Sequence, residues 1–182
     1  MGSEWNSPWK LGAFQIVFLD SHPIATGAGG SIKEMEKTMA NTTIADLSKM
    51  MADIDFATMS TTAVTGGITS RPMSNNRDVE FQGDAYFFAY ESSAKIAEIE
   101  RDASTSLSYA GSKGLLLGTP LFIAVMGRST LIRDKADFAA HWTKELDRWF
   151  PQGIDTPGVI LIKVHASRIR YWIGEDQGEL TV

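Results

Sequence analysis

The chain has 182 residues, enough for one domain with a sizeable core, and its 43% hydrophobic and 21% charged residues are those of an ordinary globule. A net charge of −5 at pH 7 argues against a nucleic-acid partner, which asks for a basic face, and means that any anionic ligand must be held by local cations. The chain contains no Cys, which excludes disulfides, thiolate metal sites and cysteine nucleophiles, and no run approaches the roughly 18 apolar residues of a membrane span. The reading is a cytoplasmic protein with no membrane partner.

Residues 1–38 fit the remainder poorly and are set apart as a leader or extension, with the domain proper at 39–182. The apolar run from Leu11 to Leu19 is short, is interrupted by Gln15 and has Lys10 as its basic flank, so it reads poorly as a signal peptide. The opening Met1-Gly2-Ser3 and the internal Met39 suggest that part of this segment comes from an expression vector or an upstream start.

Thr43-x-x-Asp46 is a capping-box signature, and Ile44, Leu47, Met51 and Ile54 recur at helical spacing, which predicts a helix laid on a β structure. Phe56 to Thr62 and Ile68 to Ser74 are expected to form a hairpin around the turn at Gly66-Gly67. Pro72 cannot donate to a ladder, so its strand is expected at an edge or locally opened. A second hairpin is expected from Val79 to Gln82 and Ala85 to Tyr90 around Gly83-Asp84. Ser92 or Ser93 then opens a helix to Arg101 that buries Ile96 and Ile99 and leaves Glu98, Glu100 and Arg101 in water.

Thr105 to Ala110 reads as a strand and Gly111 to Thr119 as a loop whose leucines hint at a subunit interface or covered pocket. Leu121 to Ile132 reads as a long strand with a bulge or corner at Gly127. Asp134 is expected to cap a helix carrying Phe138, Trp142, Leu146 and Trp149 on one face, and two further strands, Val159 to Val164 and Ile169 to Ile173, follow. The fold class is therefore mainly β, a six- to seven-stranded antiparallel barrel with peripheral helices.

Lys95 sits in the first turn of its helix, where the helix dipole favours Asp or Glu. A serine cap, free backbone N–H groups, this lysine and a nearby Arg71 together describe a phosphate site; the alternative is a solvated lysine paired to Glu91 or Glu98. His22, His141 and His165 are widely separated with no ligand spacing, so no metal site is expected, and His141 and His165 read as structural. No Ser-His-Asp order, P-loop or GxGxxG occurs, which leaves catalytic residues unassigned and requires a cofactor to supply any reactivity.

Ser70-Arg71-Pro72-Met73, then Tyr86-Phe87-Phe88 through Ser93-Ala94-Lys95 into Ile99-Glu100-Arg101, and later Trp149-Phe150-Pro151-Gln152-Gly153 and Tyr171-Trp172, resemble the pyridoxamine 5'-phosphate oxidase-like flavoproteins, in their general stress protein branch. The resemblance covers roughly residues 41–173 and implies a split β-barrel that forms a homodimer with FMN at the subunit interface. By motif position it implies that Arg71 and Lys95 bind the FMN phosphate with Ser70 and Ser93 beside them. Pro72, Met73, Phe88 and Ala89 would line the flavin, and Trp172 would reach in from the second subunit. Each apolar member has a simpler reading: Phe88, Met73, Tyr171 and Trp172 could be core. The implied activity is an FMN-dependent oxidoreductase with reduced nicotinamide as an electron donor, or a non-catalytic flavin-binding stress or redox-sensing protein.

Three departures matter. Ala89 stands where relatives often have a cofactor-bonding Thr, and Phe122 where the oxidase has a Gln. Gly174-Glu175-Asp176-Gln177 follows Trp172 where the oxidase places an Arg-x-His motif, so a true pyridoxamine 5'-phosphate oxidase is not expected.

Overall fold

The computed structural model describes residues 42–113 and 119–182. The leader through residue 38 and the leucines at 115–117 lie outside the described residues. Among the described residues, seven strands form one wholly antiparallel sheet, accompanied by three α-helices and two 3₁₀ turns. In chain order these are α1 (Ile44–Ala52), β1 (Phe56–Thr62), β2 (Ile68–Ser74), β3 (Asp84–Tyr90), α2 (Ala94–Arg101), β4 (Ser104–Lys113) and β5 (Thr119–Ile132). Then come α3 (Lys135–Phe138), 3₁₀ turns at Lys144–Arg148 and Gly153–Asp155, β6 (Val159–Ile173) and β7 (Asp176–Thr181).

The ladder runs β2-β1-β4-β5-β6-β3, with β7 also paired to β6. Its first and last strands, β2 and β3, both flank one cavity, so the sheet curls on itself without closing. This is a split β-barrel. The β1–β2 hairpin turns where expected, with Gly66 and Gly67 at φ +93° and +81°, values that glycine adopts without strain. The interior is filled by fully buried Leu47, Met59, Leu107, Ile123, Val125, Ile162 and Ile169. A smaller cluster of Phe88, Phe138, Leu146, Phe150 and Leu161 sits beside it.

α1 begins as its signature requires: Thr43 Oγ1 accepts from the Asp46 N–H, and the Asp46 carboxylate accepts from the Thr43 N–H. Gly127 marks a break in β5, where Met126 pairs with Arg168 but Gly127 with Ala166, leaving Ser167 as the extra residue of a bulge. A Cβ at Gly127 would lie 2.0 Å from the His165 carbonyl oxygen, so only glycine fits.

Five expectations are corrected. Val79–Gln82 is not a strand: Phe81 is buried and its N–H donates to Ser48 Oγ of α1, so this segment is pinned to a helix, and β3 pairs with β6 instead. Glu98 is buried, not solvated. β4 continues to Lys113, into the segment expected as a loop. The helix expected from Asp134 onward stops at Phe138; Asp134 does cap it, but Thr143 is extended and a 3₁₀ turn carries Leu146. The break lets the His141 ring stack on Tyr86 at 3.6 Å while Trp142 meets the edge of Phe88. Finally, Val159 to Ile173 is one strand, whose first half pairs with β3 and whose second half pairs with β7.

Candidate functional site

A cavity of about 400 Å³ lies along the open edges of β2 and β3. Pro72, Met73 and Ser74 line it from β2, and Phe88, Ala89 and Tyr90 from β3. Three consecutive residues from each strand contribute, as happens where a cavity follows unpaired strand edges, and proline is tolerated there because the missing N–H has no ladder partner to lose. Ser93 and Lys95 at the start of α2 close one end, while Phe56, Leu146, Trp149 and Phe150 add an apolar wall.

The α2 end is electropositive. Ser93 occupies the N-cap, but its hydroxyl donates back to the Tyr90 carbonyl at 2.6 Å and makes no cap bond to the helix. No acidic side chain stands in the first turn. The helix therefore presents uncapped N–H groups and the positive end of its dipole. Lys95 adds a full charge there while half-buried; burial, then the neighbouring Arg71, with Glu98 opposing, holds its pKa below the ordinary lysine value.

Arg71 turns out differently placed. It is on β2, yet it is not among the cavity-lining residues; its guanidinium points into a polar knot under α2. Nη2 donates to Glu98 Oε2 at 2.6 Å and Thr69 Oγ1 at 2.7 Å, and Nη1 donates to Thr61 Oγ1 at 2.6 Å and the Met59 carbonyl at 3.3 Å. Glu98 Oε2 also accepts from Thr61 at 2.6 Å and Thr69 at 3.0 Å. The Thr61 bond, helped by Thr69 and Arg71 and opposed by burial, keeps the Glu98 pKa below the ordinary glutamate value, so it is a carboxylate at neutral pH. Arg71 is thus paired to the Glu98 carboxylate.

Of the sequence-predicted residues, the fold brings Pro72, Met73, Phe88, Ala89, Ser93 and Lys95 to a single cavity. Ser70 is exposed and its hydroxyl pairs with Ser60 at 2.8 Å. Trp172 is on β6 opposite Phe122, half-buried, with the Arg170 guanidinium 5.1 Å from its ring centroid; within one chain it does not line the cavity. Tyr171 is core. Phe56, Ser74, Tyr90, Leu146, Trp149 and Phe150 were missed as lining residues. Trp149 and Tyr90 carried a signal: large aromatics that remain 51% and 43% exposed mark an interaction surface.

The cavity offers hydroxyls, one ammonium and aromatic faces, but no carboxylate or imidazole for acid–base work. Among the described residues no group of three or more His, Asp or Glu side chains could hold a metal ion. No helix among them is long and apolar enough to cross a membrane. The cavity thus combines a largely apolar lining with one ammonium and a helix N-terminus.

Comparisons with solved structures place this arrangement in a populated fold. A Clostridium acetobutylicum protein related to general stress protein 26 superposes with a TM-score of 0.65 at 12% identity, over 76% of this chain and 94% of that one. General stress protein 26 from Bacillus anthracis gives 0.57 at 21% identity, over 83% and 98%. A heme binding protein from Mycobacterium smegmatis gives 0.61 at 13% identity, over 78% and 59%. No curated protein matches the sequence. Residues 42–182 match the family described as pyridoxamine 5'-phosphate oxidase like, which spans the whole barrel from α1 to β7. The chain belongs to the pyridoxamine 5'-phosphate oxidase-like family.

Proposed function

We propose that the protein binds FMN in the cavity between β2 and β3 and acts as an FMN-dependent oxidoreductase. The observation that carries this reading is Lys95: a half-buried ammonium in a helix first turn that has no acidic residue, beside an uncapped helix N-terminus and lining a largely apolar cavity. Lys95, Ser93 and the first N–H groups of α2 would hold the phosphate. Pro72, Met73, Phe88 and Ala89 would border the flavin, with Trp149 and Tyr90 shielding it from water. Bound flavin would supply hydride or electron transfer, which none of the lining side chains can perform.

A second copy of the chain belongs to this proposal. Trp172 and Phe122 form a cross-strand aromatic pair, and Phe122 is 44% exposed, a surface suited to a homodimer in which Trp172 reaches the partner's cavity. The heme binding neighbour raises heme as a competing ligand, but neither His141 nor His165 lines the cavity, so among the described residues no imidazole is placed to ligate a heme iron there.

Titration with FMN, followed by quenching of flavin fluorescence, tests the site. Lys95→Ala should weaken binding about 10- to 100-fold, the range of a lost charge-assisted contact, with an unchanged circular dichroism spectrum. Equal FMN affinity in the variant refutes the assignment. Bleaching of bound flavin by reduced nicotinamide, with recovery in air, supports turnover; bound flavin inert to donors supports the non-catalytic binding role.

A further inference from the structure

We propose that Glu98 sets how strongly the site prefers a phosphorylated flavin over an unphosphorylated one, by cancelling the charge of Arg71 one helical turn from Lys95. This rests on the flavin-binding reading above. Lys95 and Glu98 are three residues apart on α2 and so share a face, and Arg71 reaches up from β2 to the same carboxylate.

Two cations near a phosphate would ordinarily act together, giving a local charge close to that of the ligand. Here they do not. The Arg71 side chain is 19% exposed and the Glu98 side chain 8%, so the pair is little screened by solvent. Both Arg71 terminal nitrogens are already donating to fixed protein oxygens, so neither has a hydrogen bond to spare for a ligand unless the knot is broken. Thr61 and Thr69 also donate to Oε2, the same Glu98 oxygen that pairs with Arg71, which holds the carboxylate in place against that guanidinium. At Lys95 the two act with opposite sign, so Glu98 offsets much of the arginine's charge, and the phosphate end carries Lys95 and the helix terminus with only part of the field of Arg71. Arg71 is thereby a positioning residue that ties β2 to α2, and Glu98 is a specificity residue acting on charge.

The consequence is measurable as a ratio. Glu98→Gln keeps the shape and an acceptor for Arg71 but restores the arginine's field, so FMN affinity should rise about 5- to 10-fold, the effect of one partly screened charge, while riboflavin affinity stays fixed. Arg71→Gln should lower the FMN to riboflavin ratio, because it leaves Glu98 uncompensated. The double variant Arg71→Gln with Glu98→Gln should restore the wild-type ratio, and it remains informative where the single arginine variant fails to fold. If the double variant loses FMN preference as fully as Arg71→Gln alone, Arg71 contacts the phosphate directly and the proposal is overturned. Equal changes for FMN and riboflavin in Glu98→Gln also overturn it. A wild-type protein that binds neither flavin defeats the flavin reading instead. The charge argument is then decided by nuclear magnetic resonance titration of Lys95: Glu98→Gln must lower its pKa, and an unmoved value overturns the cancellation.

Discussion

Phe138 is the residue on which the cavity wall leans, and Phe138→Ala is the sharpest test of that support. Its side chain is fully buried. Its ring meets Phe88 edge-on at 5.5 Å, and Phe88 lines the cavity. A buried Phe takes roughly 150–250 Å² out of water, about 4–6 kcal/mol at about 25 cal/mol per Å², and truncations of such residues cost about 3–5 kcal/mol. For a chain of this size each kcal/mol moves the melting temperature by about 2–4 °C, so a fall of about 6–20 °C is expected by differential scanning calorimetry. Phe138→Leu keeps most of the volume and should fall by clearly less. FMN titration of the folded variant should reveal weaker binding, because Phe88 loses one of the aromatic neighbours that fix it. A melting temperature within about 2 °C of wild type would refute the reasoning, since it would mean that the short α3 and its phenylalanine contribute no packing.

Two further outcomes follow from the backbone and from pH. Gly127→Ala would drive a methyl group against the His165 carbonyl, its nearest carbon neighbours being backbone atoms that cannot rotate aside, so thermal melts should show a loss of at least about 1–3 kcal/mol; an unchanged melt would mean the bulge can shift freely. His141 is held below the ordinary imidazole pKa, chiefly by burial and further by Lys163, with Asp137 and Asp84 opposing, and its Nδ1 is buried without a hydrogen-bond partner. The unfolded chain therefore binds more protons than the native one between the ordinary value near 6.5 and the depressed folded value, and stability falls as pH drops through that window. His141→Phe, which keeps a ring on Tyr86, should melt progressively higher relative to wild type as pH falls from about 7 to about 5; a pH-independent difference would exclude His141 as the source.

The parts of the fold that sequence patterns made legible are those governed by local chemistry. Thr43 and Asp46 cap reciprocally, Gly66 and Gly67 take the positive φ that the hairpin needs, and Gly127 interrupts an otherwise apolar strand. The errors came where a tertiary partner overrode a periodic signal. β6 read as two strands because the bulge at Ser167 interrupts the alternation between Ala166 and Ile169; the Ser167 hydroxyl donates to the Met126 carbonyl and keeps the strand continuous. Phe138, Trp142, Leu146 and Trp149 keep near-helical spacing, yet the stack of His141 on Tyr86 and the contact of Trp142 with Phe88 require the chain to unwind between them. Glu98 looked solvated because charged residues on an amphipathic helix usually are, and nothing local announces that Thr61, Thr69 and Arg71 converge on it from 27 to 37 residues away. At the site, the motif order located Pro72, Met73, Phe88, Ala89, Ser93 and Lys95, but the apolar wall from Leu146 to Phe150 depends on how a distant segment folds back across β3.

The two strands that border the cavity share no rungs with each other, because they are the terminal members of the same ladder. Spreading them apart severs no inter-strand bond. Widening that slit would leave every rung of the ladder in place, and the side chains along it can be substituted while the strand pairing that holds the barrel together stays untouched.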